Sequence, residues 1–594
     1  MSVIAGAYSR QPNSNVPLPL CDSIRQLISR NSGDEICVFE DGRSYIAKLD
    51  IGAFAARGEL VGDDGTISLL AGEPLLFSVD DSEPNRLSDL RRIQESLGND
   101  NFDVLREAHG AFCAANFQPD TGCLKLITDK LGVRPLYYWF NDDLVIFSSA
   151  LRILEGLSEI PKQMDVRAVT EIAGLSYALG NRTPYINIFV LNAGEILQVN
   201  GPDISREIYW DWNEIEPSAA GEVELLDELY ARFQKAVARR LGSDTSTIAY
   251  LSGGLDSRCV VAALCDQGAH AHTFNFARPN TQDLIFGRRF ADMVNVTHTE
   301  LPKEAGNRRP DYSTVMVKAL AASAGMIAHP PERPSVAWSG EGGSVVMGHV
   351  HLSRKIVEQM RAGDRRAAID EFIRREFAFI PSKVLNSDAV NDIAAIIPEG
   401  INEELGKMTA SDPARSFYLF LILNDQRRKL ASHFENIDQH RLELQIPFFD
   451  SSFVELIVSM PVDMCLEHRA YTRWLNRFPA AVTAVPWQSY PGHEPCPLPV
   501  PDGLEYQWER GYQVAELKAQ KQEVVRQANQ IISAKNFAGG ILNRNAIRLA
   551  TLAHKTGWRD YGYIIETVSV YQNYWTKCDG NYSFSRQNCD IGYS

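Results

Sequence analysis

Apolar and polar residues change their rhythm twice along this chain. Up to about Asn200 the apolar residues come in short β-rich runs broken by Gly, Asp and Asn. Glu35-Ile36-Cys37-Val38-Phe39, Cys123-Leu124-Lys125-Leu126-Ile127 and Leu144-Val145-Ile146-Phe147 are examples, and Val104 to His109 is the exception with helical period. This pattern predicts a layered antiparallel β domain with a few helices. From Pro202 to Ala220 the chain turns polar, with Gly, Pro and Asn, which marks a domain boundary. Leu226, Leu229, Phe233, Val237 and Leu241 then recur at helical spacing with charges between them. Ser246 to Leu251 alternates and ends apolar like a buried strand, and Arg258 to Leu264 reads as the first turns of a helix. His270 to Phe276 is a second short strand, followed by a helix with Phe286, Phe290 and Met293 on its apolar side. Beyond Asp502 an Ala-, Gln- and Lys-rich helix is expected near Glu516 to Asn536 and another near Leu542 to Thr556. From Tyr571 there is no usable period. The expected organisation is an α+β sandwich domain over 1–200, a linker over 201–220, an α/β domain with a parallel sheet over 221–500 and a helical extension over 501–594.

Length and charge narrow the function without naming it. A chain of 594 residues is too long for one core. A net charge of −16 argues against a general nucleic-acid binder. No apolar run is long enough to span a bilayer, and the start lacks the basic and apolar regions of a signal peptide. The ten cysteines contain no Cys-x-x-Cys pair, so neither a zinc site nor a disulfide framework is signalled. His270, His272 and His298 lack a recurring ligand spacing and read as surface or capping residues. A cytoplasmic protein without membrane or nucleic-acid partners is expected.

The chemistry concentrates in Ser252-Gly253-Gly254-Leu255-Asp256-Ser257, between the predicted strand and helix. A strand running through a Gly-containing loop into a helix gathers N–H groups and the positive helix end at one spot, which suits phosphate. Gly253 and Gly254 allow close approach, and Ser252 and Ser257 add hydroxyls. Asp256 would repel phosphate unless a cation lay between them, so a Mg²⁺ ion bridging Asp256 to a pyrophosphate is the expected arrangement.

The stretch resembles the pyrophosphate loop of the N-type ATP pyrophosphatases, and in the asparagine synthetase branch of that superfamily the loop reads residue for residue as here. The resemblance implies an adenine nucleotide α-hydrolase-like fold and ATP with Mg²⁺. It implies nucleotide contacts from Tyr250, Ser252, Gly253, Gly254, Leu255, Asp256, Ser257 and Phe276. Trp338-Ser339-Gly340-Glu341-Gly342-Gly343-Ser344 resembles the family's stretch that closes over the α-phosphate. It adds Ser339 and Gly340 as nucleotide contacts and Glu341 as the catalytic acid–base. Ser344 stands where the family has a second magnesium-binding aspartate. Gln445 stands where it usually has arginine. The region Val485 to His493 lacks the family's loop lysine, for which Arg427 and Lys429 are the candidate substitutes, with His493 as an alternative proton-transfer group.

In the N-terminal third, Ile4-Ala5-Gly6-Ala7-Tyr8, His109-Gly110-Ala111-Phe112 and Asp129 to Tyr138 resemble the class II glutamine amidotransferase domain, an Ntn-type sandwich. Ser2 replaces the nucleophilic cysteine, and Ala71-Gly72-Glu73-Pro74-Leu75-Leu76 replaces the glutamine-binding stretch. A serine hydroxyl is a poorer nucleophile than a thiolate. A retained scaffold with a dead glutaminase site is expected.

Three ligases share this layout: asparagine synthetase, β-lactam synthetase and the lasso-peptide macrolactam synthetase. The altered N-terminal site and the aromatic, Pro-rich loop around Trp487, Tyr490 and Pro495 to Pro499 favour the last. Its substrate would be a peptide, with a precursor-processing protease and a leader-binding protein as companions. Asparagine synthetase and a nucleotide-binding pseudoenzyme are the alternatives.

Overall fold

A computed structural model of the chain describes residues 2–76, 85–301, 316, 318–320, 328–426, 428, 430–506 and 514–584. Two six-stranded antiparallel sheets form the N-terminal part. The first runs in the order Ile188–Val190, Tyr137–Phe140, Leu144–Ser148, Ser2–Ser9, Ser44–Asp50, Ile36–Glu40. The second runs Asp203–Ile208, Glu195–Asn200, Cys123–Thr128, Phe112–Gln118, Ile67–Gly72, Glu59–Val61. Alternate residues of both sheets, including Ile4, Tyr8, Leu69, Ala115, Leu126 and Phe147, meet in one buried cluster between them. Helix Arg86–Gly98 covers the outer face of the second sheet through Leu90, Ile93 and Leu97. Helix Leu18–Leu27 covers the first through Leu20 and Ile24. The expected α+β sandwich is therefore present.

The first part of the linker expected over 201–220 belongs to the second sheet. Asn200 pairs with Asp203 and Glu195 with Ile208, so Gly201-Pro202 is a hairpin turn and the sheet continues to Ile208. Gly201 takes φ +56, a conformation glycine adopts without steric cost. The misreading came from polar residues on an edge strand, where Ile208 stays 46 % exposed. Trp212 is also buried in the core, and its indole N–H donates to the Lys130 carbonyl at 2.6 Å.

The second part holds a five-stranded parallel sheet in the order Thr297–Glu300, His270–Asn275, Ser246–Tyr250, Val336–Trp338, Glu443–Gln445. Taken in chain order, its strands lie 3-2-1-4-5. The order reverses between Ser246–Tyr250 and Val336–Trp338, and open α/β sheets bind ligands in the crevice at such a switch point. Helix Glu222–Leu241 buries Leu226, Leu229, Phe233 and Val237, the stripe expected from sequence. Buried polar contacts join the two parts. Arg134 donates to Glu443 at 2.9 Å, and Gln445 Nε2 donates to Glu73 at 2.7 Å.

Three helices, Val514–Ser533, Arg544–Thr556 and Gly562–Lys577, form the extension. It packs on both parts. Tyr571 and Thr170 share a hydroxyl hydrogen bond of 2.7 Å, Tyr582–Ser583 pairs parallel with Met164–Asp165, and Asn386 N–H donates to the Ile541 carbonyl at 2.9 Å. Among the described residues no helix is long and apolar enough to cross a membrane.

Candidate functional site

The loop from Ser252 to Ser257 leaves the carboxyl end of strand Ser246–Tyr250 and enters helix Asp256–Asp266, on one side of the switch point. The turn from Ser339 to Ser344 leaves the neighbouring strand Val336–Trp338 on the other side. Two close approaches require glycine. A Cβ on Gly340 would lie 2.4 Å from the Ser257 nitrogen, and one on Gly253 would lie 2.7 Å from the Asp283 backbone. The loop is fixed from within: Ser257 Oγ accepts from Ser252 N–H at 2.9 Å, and Ser252 Oγ accepts from Gly254 N–H at 3.2 Å. Gly253 N–H donates to the Asp283 carboxylate at 2.7 Å, whose pKa loss of water on burial raises. Ser339 N–H donates to the Gln445 carbonyl at 2.9 Å, and its hydroxyl accepts from Glu341 N–H at 3.2 Å. Glu341 is exposed at the mouth. Tyr250 and Phe276 end the adjoining strands with ring centroids 6.0 Å apart.

Asp256 is the centre of this arrangement. Its carboxylate accepts three hydrogen bonds, from Tyr471 O–H at 2.7 Å, Ser344 O–H at 2.9 Å and Ser344 N–H at 3.0 Å. Burial pushes its pKa up to about 6 against these donors, and the Glu341 charge adds to the rise. In this arrangement Asp256 has little free coordination to offer a magnesium ion. A hard dication needs free carboxylate lone pairs, whereas three of the roughly four on Asp256 face O–H and N–H donors. Ser344, in place of a second carboxylate, donates two hydrogen bonds to Asp256.

Sequence reasoning missed Tyr471 as a partner of Asp256 and did not assign Asp283 to the loop, because both meet it through tertiary contacts. Arg427 and Lys429 lie outside the described residues. His493 pairs with His468, Nδ1 to Nδ1 at 2.7 Å, and burial lowers its pKa. The three histidines near the sheet edge are ordinary: His272 and His298 bond Thr299 and Thr273, and His270 stacks on His329.

At the N-terminal site, Ser2 is buried and donates to Asp50 at 3.0 Å. Arg86, itself buried, donates to Ser2 Oγ at 2.8 Å, to the Leu70 carbonyl at 2.8 Å and to Asp50 at 3.3 Å. Desolvation would raise the Asp50 pKa, but Arg86 and Lys48 outweigh it and hold the carboxyl well below the usual range. Asp50 is therefore a poor base toward the Ser2 hydroxyl, and a guanidinium fills the space beside it.

Two family models match the chain. One is the glutamine amidotransferase domain over residues 89–210, and the other is asparagine synthase over residues 228–315. A Methanocaldococcus jannaschii protein, described as a second glutamine-hydrolysing asparagine synthetase, is 30 % identical over 31 % of this chain and 36 % of its own length. Asparagine synthetase 3 of Bacillus subtilis is 29 % identical over 30 % of this chain and 29 % of its own. The chain thus spans about a third of the length of these curated relatives. A glutamine phosphoribosylpyrophosphate amidotransferase structure from B. subtilis aligns over 62 % of this chain and 79 % of its own at 11 % identity. Its TM-score of 0.25 is too low to carry an argument. The two matches follow one another along the chain, so residues 89–210 are similar to a glutamine amidotransferase domain and residues 228–315 to asparagine synthase.

Proposed function

We propose that this protein is an ATP-dependent carbon–nitrogen ligase that forms AMP. The observation that carries the reading is the meeting of the Ser252–Ser257 loop and the Ser339–Ser344 turn across the switch point of the parallel sheet. The loop and helix start suit the polyphosphate of a nucleotide, with Tyr250 and Phe276 at its adenine end. A carboxylate oxygen of the substrate attacks the α-phosphorus, the bond to the departing pyrophosphate breaks, and an acyl-adenylate forms. An amine nitrogen then attacks the acyl carbon, AMP leaves, and the nitrogen loses a proton. The role assigned to Glu341 is to accept that proton. The protein's contribution is positioning and charge stabilisation. A divalent ion that travels with ATP is part of that substrate, and no step is assigned to it.

The finer reading is a lasso-type macrolactam synthetase, which joins a peptide's α-amine to an internal Asp or Glu side chain. A precursor-processing protease and a leader-binding protein would be its companions. What supports it is the N-terminal site, where Arg86 stands against Ser2, so that ammonia from glutamine is not the amine. Buried Trp487 and half-buried Tyr490 beside the loop also suit a bulky acyl group. The names of the relatives favour a second reading, amidation of aspartate by ammonia. Full-length protein with ATP, Mg²⁺ and either aspartate plus ammonium or a candidate precursor peptide distinguishes them by mass spectrometry. Asparagine supports the second reading, and a peptide lighter by one water supports the first.

A further inference from the structure

A second wall lies across the phosphate-type loop. Arg258, fully buried, donates to the carbonyls of Val482 at 3.0 Å, Val485 at 2.5 Å and Pro486 at 2.7 Å. It thereby pins the stretch that leads into Trp487. Gln488 N–H then donates to the Gly253 carbonyl at 3.1 Å. A small cavity of about 60 Å³ remains between wall and loop, lined by Ser252, Gly254, Asp256, Ser344, Gln488 and Tyr490 among others. Among the described residues that line it there is no lysine or arginine.

The side chain of Gln488 is out of place for a finished interior. It is only 6 % exposed, yet neither its Nε2 nor its Oε1 has a hydrogen-bond partner among the described residues. A buried amide left without partners lowers stability, and native proteins rarely keep one without a use for it. Of the other polar groups on this cavity, Ser252 is held by Ser257 and Gly254 and Asp256 by Tyr471 and Ser344, while His468 Nε2 also lacks a partner among the described residues and the exposed Glu494 carboxylate stands at the rim. The carboxamide offers two N–H donors. It faces the start of helix Asp256–Asp266, whose positive end attracts anions.

We propose that Gln488 is an anion-contacting residue of this site, its amide N–H₂ donating to a non-bridging oxygen of the diphosphate held at the Ser252–Ser257 loop. Among the described residues no lysine or arginine lines the cavity, and a neutral donor such as Gln488 leaves the charge of the neighbouring Asp256 uncompensated. This assignment rests on the reading of the loop as a polyphosphate site.

The test uses the full-length protein with inorganic pyrophosphate, and in parallel ATP, titrated by isothermal calorimetry. Gln488→Met keeps the length of the side chain and removes the unpartnered amide. Its melting temperature is expected to be equal to the wild type's or higher, while both dissociation constants rise about ten-fold or more, the weight of one hydrogen bond to a charged group. Gln488→Glu, of the same shape but negatively charged, is expected to weaken both ligands further, and it carries the test alone should Gln488→Met fail to fold. Wild-type binding with both variants within two-fold of it overturns the Gln488 assignment and leaves the loop reading standing. A Gln488→Met protein that melts lower yet binds as tightly makes the side chain a packing element and also overturns it. Absence of wild-type binding to either ligand overturns the loop reading, and this assignment with it.

Discussion

Asp256→Asn separates what the carboxylate costs the fold from what it does in the site. Burial raises Asp256 from the ordinary 3.8 to about 6. Between those values the folded protein holds a proton that the unfolded chain has released. The stabilisation is therefore complete below pH 4 and is lost as the pH rises to 6. A shift of about two units corresponds to about 3 kcal/mol at 1.36 kcal/mol per unit. Water reaching the half-buried carboxylate reduces this to about 2 kcal/mol. Asparagine carries no charge and removes that cost. It also offers one oxygen where Asp256 offers two, so one of the three donors from Tyr471 and Ser344 loses its acceptor. That loss is worth about 1 kcal/mol. The variant should be more stable than the wild type by about 1 kcal/mol at pH 7.5 and less stable by about 1 kcal/mol near pH 4. Melting curves run side by side between pH 4 and pH 8 should cross, with gaps of roughly 2 °C at either end for a unit of this size. ATP turnover should fall at neutral pH even as stability rises, the trade expected at a functional site. A variant less stable by the same amount at every pH would refute the reasoning, because Asp256 would then be ionised at no cost to the fold.

Tyr471→Phe removes the 2.7 Å donor to Asp256 and should raise that carboxyl further. The loss of stability, about 1–2 kcal/mol, should be seen at pH 7.5 and nearly vanish at pH 4; a pH-independent loss would contradict it. Arg134→Met and Glu443→Gln each break a buried pair at 2.9 Å between the two parts of the chain. Either should cost roughly 3–5 kcal/mol in urea unfolding, with the double variant costing less than the sum; strict additivity would count against the pairing. Ser2→Cys should release no ammonia from glutamine in a coupled assay, because Arg86 still fills the space beside residue 2. Ammonia release would show the pocket open.

Local signals carried much of the fold. The strand, loop and helix around Asp256 were legible because six contiguous residues supply the turn, the hydroxyls and the helix start together. The paired sheets of the first part were legible as short β-rich runs. What failed was punctuation and distance. Gly201-Pro202 looks like a linker but closes a hairpin whose edge strand is polar. Helix Gly562–Lys577 buries one face through Ile564, Ile565, Val568, Tyr571 and Trp575, but Tyr563, Val570 and Tyr574 on its other side blur the contrast in the sequence. Asp283 and Tyr471 reach the site from 30 and 215 residues away in sequence, and no local pattern marks such partners. Ser344 was visible as a departure from the family's aspartate, but that it would satisfy Asp256 with two hydrogen bonds needed the coordinates.

The most direct measurement is the fate of ATP labelled at its α-phosphate, incubated with full-length protein, Mg²⁺ and the acceptor mixtures described above. The ligase account predicts AMP and pyrophosphate in equal amounts, formed only when a carboxylate and an amine are both present, with amide product to match. ATP that binds without turnover in every mixture, or that yields ADP and phosphate instead, would contradict it.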